Sequence, residues 1–138
     1  DDVINVAGHR LSTGAIEEVV AAHPAIAECA VVGMNDALKG QVPLALLVLK
    51  SGIGNADAVA GEVVAQVREQ MGAVVALKTA IVVPRLPKTR SGKILRGTIG
   101  RIANREEYAL PATIEDPGAL ADAALALAAA DIIPAKPG

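Results

Sequence analysis

The sequence predicts an α+β fold: a small, about three-stranded sheet packed with helices and preceded by a short β-ribbon. Apolar runs of strand length stand at Ile26 to Met34, Val42 to Lys50 and Thr79 to Val83. Between and after them come segments with helical i, i+4 spacing, mixed with the strands rather than strictly alternating. The chain has 138 residues, 52% of them hydrophobic, enough to bury one core and to exclude intrinsic disorder. Residues 1–110 are read as one compact domain and 111–138 as its C-terminal helical extension.

The elements follow in order. Val3, Ile4 and Val6 are β-formers, and Ala7-Gly8 can turn them into a ribbon that ends near Ser12. Thr13 or Gly14 can cap a helix that carries Ile16, Val19 and Val20 on one face, and His23-Pro24 stops it. The strand from Ile26 ends in a turn at Asn35-Asp36. The nearly unbroken apolar run from Val42 predicts a strand buried on both faces. Val59, Val63, Val67 and Met71 form an i, i+4 stripe closed by Gly72. Pro84 closes the last strand, and Ser91 can cap a helix with Leu95, Ile99 and Ile102 on one face. Asp116-Pro117 opens an Ala-rich helix, with Pro at its first position and Leu120 and Leu127 inward.

Composition narrows the classes. With no Phe, no Trp and one Tyr, it weakens the case for stacking on single-stranded nucleic acid. One Cys excludes an internal disulfide and a cysteine-cluster zinc site, so no metal site is expected in this chain and a reducing, cytoplasmic setting is. No apolar run is long enough to span a membrane. The chain opens on Asp1 without a signal sequence and reads as a piece of something longer.

Net charge is −2, yet the cations are unevenly spread. Between Glu69 and Glu106 stand Lys78, Arg85, Lys88, Arg90, Lys93, Arg96, Arg101 and Arg105 with no carboxylate among them. Such a stretch attracts phosphates. Five of the eight crowd into Leu86-Pro87-Lys88-Thr89-Arg90-Ser91-Gly92-Lys93-Ile94-Leu95-Arg96 and the Arg85 before it, in loop composition. This is no nucleotide-binding P-loop: Pro87 takes the first glycine position, and Ile94 stands where a hydroxyl should ligate Mg²⁺. Two readings remain for the loop, a mobile anion site built on Lys93 beside a helix N-terminus, and a helix-capping turn with surface cations. In the opening ribbon, Gly8 removes a side chain at the turn and Arg10 can pair with a phosphate or carboxylate; alone, an ordinary hairpin fits it better. His9 and His23 lack partners at metal-ligand spacing, and Cys29 reads as an inert buried thiol.

Together, Asp1-Asp2-Val3-Ile4-Asn5-Val6-Ala7-Gly8-His9-Arg10 and Leu86-Pro87-Lys88-Thr89-Arg90-Ser91-Gly92-Lys93 resemble the hinge and catalytic-lysine loops of the AMP-forming acyl-CoA synthetases, in the C-terminal domain of that adenylate-forming family. The likeness runs to about Asn104 and is greatest for the short-chain branch, with Thr113-Ile114-Glu115-Asp116-Pro117 leaning towards the propionate rather than the acetate type. The resemblance implies a lid that rotates between two half-reactions: a carboxylate and ATP give acyl-AMP, then CoA displaces AMP. It makes Asp1 the hinge and Lys93 the residue serving adenylation, where an ammonium stabilises charge growing at phosphorus. It sets Ala7 and Gly8 beside the pantetheine, Arg68 on the nucleotide of CoA, and Arg10 on the phosphate of ATP or acyl-adenylate. Ala7 departs from the serine expected in the acetate type. Mg²⁺, the acyl pocket and the adenine site belong to the N-terminal adenylation domain, so this chain alone should not catalyse the overall reaction. Lys93 is further implied as a target of regulatory acylation, with an acyltransferase and a deacylase as partners. The competing expectations are an adenylation-domain lid serving a carrier protein, and a non-catalytic anion- or nucleic-acid-binding module.

Overall fold

The computed structural model describes residues 2–135. In chain order the elements are β1 (Val3–Val6), β2 (His9–Ser12), α1 (Thr13–Ala21), β3 (Ile26–Asp36), β4 (Gly40–Leu49), α2 (Ala56–Met71), a 3₁₀ turn (Ala73–Val75), β5 (Thr79–Val82), α3 (Arg96–Ala103) and α4 (Gly118–Ala129).

β4 organises the sheet. β3 runs antiparallel along one edge of it, from Ile26 against Leu49 to Asp36 against Gly40. The other edge is shared: Gly40 pairs with Val6 of β1, and Leu44–Leu47 pair in parallel with Thr79–Val82 of β5. Pro43, which has no N–H to give a ladder, falls in the gap between those two partners. The ribbon is therefore joined to the three central strands in one five-stranded sheet. The parallel step from β4 to β5 needs a crossover, and α2 supplies it.

Alternation along β4 builds two cores. Ala45 and Leu47 face Ile16, Val20, Val59, Val63 and Val67 from α1 and α2. Leu44 and Leu46 face Ile99 and Ile102 of α3 and Leu120 and Leu127 of α4. All four β4 residues are fully buried, which is why the run from Val42 reads as apolar on both faces. The predicted stripe of α2 and the inward Leu120 and Leu127 are as expected. Ile4 of the ribbon lies over β3 at Gly33, where an added Cβ would stand 2.7 Å from Ile4 Cγ2.

Several boundaries differ from expectation, each for a local reason. Ser12, not Thr13 or Gly14, caps α1: β2 runs straight into the helix, and the extended Ser12 accepts from Ala15 N through Oγ at 3.2 Å. β3 continues through Asn35-Asp36, and the turn follows it, because Asp36 Oδ2 accepts from the amides of Leu38 and Lys39. Pro117 is the cap of α4 rather than its first residue, with Asp116 Oδ1 accepting from Gly118 N at 2.8 Å. His23 is structural: Nδ1 accepts from Ala25 N at 3.0 Å, so the proton sits on Nε2 and is donated to Glu62 at 2.8 Å.

Candidate active site

The Lys93 loop is a tight hairpin. Lys88 and Ile94 form an antiparallel bridge, Thr89 N donates to Lys93 O at 2.8 Å and Leu95 N donates to Pro87 O at 2.9 Å. Gly92 takes a φ of 89°, which closes the turn at no steric cost. This geometry corrects the expected Ser91 cap: the chain stays extended through Ile94, α3 begins only at Arg96, and its N-cap Leu95 offers no side-chain bond. Ser91 Oγ instead lies 3.0 Å from Thr89 Oγ1.

Three of the eight cations are neutralised by carboxylates from distant segments. Arg85 is held by Asp116 at 2.5 Å and Asp122 at 2.9 Å, Lys88 pairs with Glu28, and Arg96 bonds Glu17 twice. The Arg85 guanidinium, with the Gly118 amide, holds the Asp116 carboxyl below its usual range. Of the five cations around the loop, Arg90 and Lys93 have no ion-pair partner among the described residues, and both are exposed.

Lys93 lines a groove of about 630 Å³ with Asp2, Thr13, Glu17, Thr89, Arg96 and Gly97. Two acids, Asp2 and Glu17, line the same groove, and Glu17 is occupied. Both its oxygens take Arg96, and Oε2 also accepts from Val31 N at 2.8 Å. The Lys93 ammonium is left to meet an anion from outside, beside the first turn of α3.

A second, separate groove of about 370 Å³ is lined by Lys39, Arg68 and Lys78 together with Val64, Val67, Gly72 and Ala76. The ribbon's turn abuts it, since Ala7 N donates to Lys39 O at 2.8 Å. That turn has positive φ at both central residues, Ala7 at 49° and Gly8 at 86°, and nothing lies within 4 Å of where a Gly8 Cβ would stand. Of the groove's three cations, the family resemblance implies a role for Arg68 alone, and Lys39 and Lys78 are added by the structure. Lys78 was visible only as one of a run, and Lys39 carried no local signal, because strand pairing alone brings the β3–β4 turn to the end of α2.

The ribbon links the two grooves. Asp2, at its base, lines the Lys93 groove, and Ala7, at its tip, bonds to Lys39, which lines the Arg68 groove. Arg10 lies between, opposite Asn5 on the outward face, exposed and lining neither groove. Asp1, the expected hinge, lies outside the described residues. Cys29 is buried, and desolvation, then Glu17, push its thiol up to about 11. Among the described residues no three His, Cys, Asp or Glu side chains gather as a metal ion would require. No helix of the described residues is long and apolar enough to cross a membrane.

Compared with known families, residues 15–93 match the AMP-binding enzyme C-terminal domain, more than half of the chain. The chain belongs to that family. The C-terminal domain is 54% identical over 118 residues to the mouse "Acyl-CoA synthetase short-chain family member 3, mitochondrial", covering 85% of this chain and 17% of that protein. It is likewise 54% identical over 117 residues to "Acyl-CoA synthetase short-chain family member B, mitochondrial" of Dictyostelium discoideum, covering 84% and 17%. Among solved structures it is similar to the Brucella canis acyl-CoA synthetase, with a TM-score of 0.68 and 34% identity over 73% of this chain and 19% of that one. The domain thus spans about a fifth of the length of these relatives. The matched span closes on Lys93 and includes Arg68; the ribbon and α4 lie outside it.

Proposed function

We propose that this C-terminal domain is the rotating lid of an AMP-forming short-chain acyl-CoA ligase, acting on propionate or acetate with ATP and CoA. The observation that carries the reading is a pair of separate grooves that the ribbon approaches from its two ends, one lined by Lys93 and Arg96 with Asp2 and Glu17, the other by Lys39, Arg68 and Lys78. At the base, Lys93 is exposed and without an acid partner among the described residues, suited to an associating carboxylate and α-phosphate. At the tip, Ala7 bonds to Lys39, which lines a groove with two further cations, Arg68 and Lys78. Two grooves that share no lining residue can each be presented to an N-terminal domain in turn, one per half-reaction.

In the first step Lys93 stabilises negative charge as the carboxylate oxygen attacks the α-phosphorus and pyrophosphate leaves. Arg10 is assigned to the phosphate of ATP or acyl-AMP, and Asp1 to the hinge. In the second step the CoA thiol passes Ala7-Gly8, attacks the acyl carbonyl and displaces AMP, while Arg68 holds the nucleotide end. A groove with three cations favours free CoA, which brings phosphates on a nucleotide, over a thiol on a carrier protein. Mg²⁺ is assigned to the N-terminal domain. Acylation of Lys93 by an acyltransferase would abolish its charge, and a deacylase would restore it. The setting proposed is the cytoplasm, a reducing compartment in which a lone thiol stays free.

The test uses the full-length enzyme, wild type beside Lys93→Ala. Acyl-AMP formation from propionate or acetate is assayed apart from acyl transfer out of premade acyl-AMP. Adenylation is expected to fall roughly 10²–10³-fold while transfer survives. Survival of both steps would overturn the reading, and the better acid names the substrate.

A further inference from the structure

The strand that holds Lys93 is itself held by a segment far from it in sequence and outside the matched family span. Residues 87–90 form the middle strand of a miniature antiparallel sheet. On one side lies the lysine strand, bonded through Thr89 N to Lys93 O and Leu95 N to Pro87 O. On the other lies the C-terminal extension: Thr89 bridges Ile114, Arg90 N donates to Thr113 O at 2.9 Å, and Glu115 N donates to Lys88 O at 2.9 Å. Thr89 joins the two sides: it bridges Ile114 on one, and on the other its Oγ1 accepts from Lys93 N at 3.1 Å and its carbonyl from Gly92 N at 2.8 Å.

The extension is itself anchored on both sides of that contact. Ile114 is buried in the same cluster as Leu86, at the start of the loop. Asp116 and Asp122 then grip Arg85 from the far side. An isolated two-stranded ribbon is marginal in water, and a third strand with a buried anchor makes it rigid. Without Thr113–Glu115 the lysine loop would keep the Lys88–Glu28 pair and its buried Leu86 but would be a two-stranded ribbon with its other edge unpaired.

We infer that Thr113–Glu115 is a positioning brace for the Lys93 loop, so that the C-terminal extension sets the efficiency of adenylation without touching substrate. The inference rests on the role proposed above for Lys93. A lysine whose ammonium must sit between a carboxylate and a phosphate is sensitive to small displacements, and an unbraced hairpin samples many.

The test is Glu115→Pro in the full-length enzyme, which deletes the N–H donated to Lys88 O, against Glu115→Ala, which keeps it. The Pro variant is expected to lose roughly 10- to 100-fold in kcat for acyl-AMP formation with KM for ATP and acid little changed. Acyl transfer from premade acyl-AMP should stay near wild type, and amide exchange at residues 89–93 should speed up. The Ala variant should match wild type in all four readouts. If Glu115→Pro does not fold, the double variant Asp116→Asn, Asp122→Asn, which loosens the anchor alone, decides by showing or lacking the same selective loss. Wild-type adenylation in the Pro variant, an equal loss in the Ala variant, or an equal fall in both half-reactions overturns the brace. Lys93→Ala run alongside separates the failures: if it adenylates normally, the role of the lysine itself is wrong.

Discussion

Arg96 grips Glu17 with two bonds, Nε to Oε2 at 2.8 Å and Nη2 to Oε1 at 2.7 Å, tying the first residue of α3 to the middle of α1. Glu17 is mostly buried and accepts from Val31 N as well, so one carboxylate fastens α1, β3 and α3. The bond to Glu17 also raises the pKa of Arg96 above its already high value.

Arg96→Met should therefore cost about 2 kcal/mol, since it strands a desolvated carboxylate. Glu17→Gln should cost less, because the amide oxygen can still accept from Val31 N. Urea unfolding followed by circular dichroism measures both; a loss larger for Glu17→Gln would contradict the ranking.

The Cys29 thiol predicts a slope in stability against pH. Its folded pKa, about 11, lies above the ordinary 9.0, so the folded state keeps a proton that the unfolded chain releases. The stabilisation is complete below the unfolded value and declines as pH rises from 9.0 towards 11. Relative to wild type, Cys29→Ala should lose that component of the decline. At about pH 8 the native thiol should resist alkylation and react only after unfolding.

The ribbon turn carries avoidable strain. Ala7, at φ 49°, occupies a left-handed position that an Asn side chain tolerates better, and the following Gly8 completes the preferred pair for such a turn. Ala7→Asn should stabilise the chain by about 0.5 to 1 kcal/mol. A thermal melt unchanged or lowered would contradict this.

Arg68→Ala in the full-length enzyme should raise KM for CoA roughly tenfold and leave adenylation alone. Lys39→Ala and Lys78→Ala should act in the same direction, because all three line one groove. Steady-state kinetics with CoA varied would decide it, and the rise should shrink at high salt as the cations are screened.

The sequence by itself determined the periodicities. The doubly buried strand at Leu44–Leu47, the Val59-Val63-Val67 stripe and the Ala7-Gly8 turn were legible because each follows from neighbours a few residues away. The loop motif around Lys93 was legible for the same reason. Tertiary structure alone decided which cations are available: Glu17, Glu28, Asp116 and Asp122 lie far along the chain from Arg96, Lys88 and Arg85, so no local reading could pair them. It also decided that the lysine loop is a braced hairpin rather than a cap for α3, because the strand that completes it arrives from Thr113–Glu115. Coulomb attraction and strand pairing act through space, and only folding sets the distances over which they act.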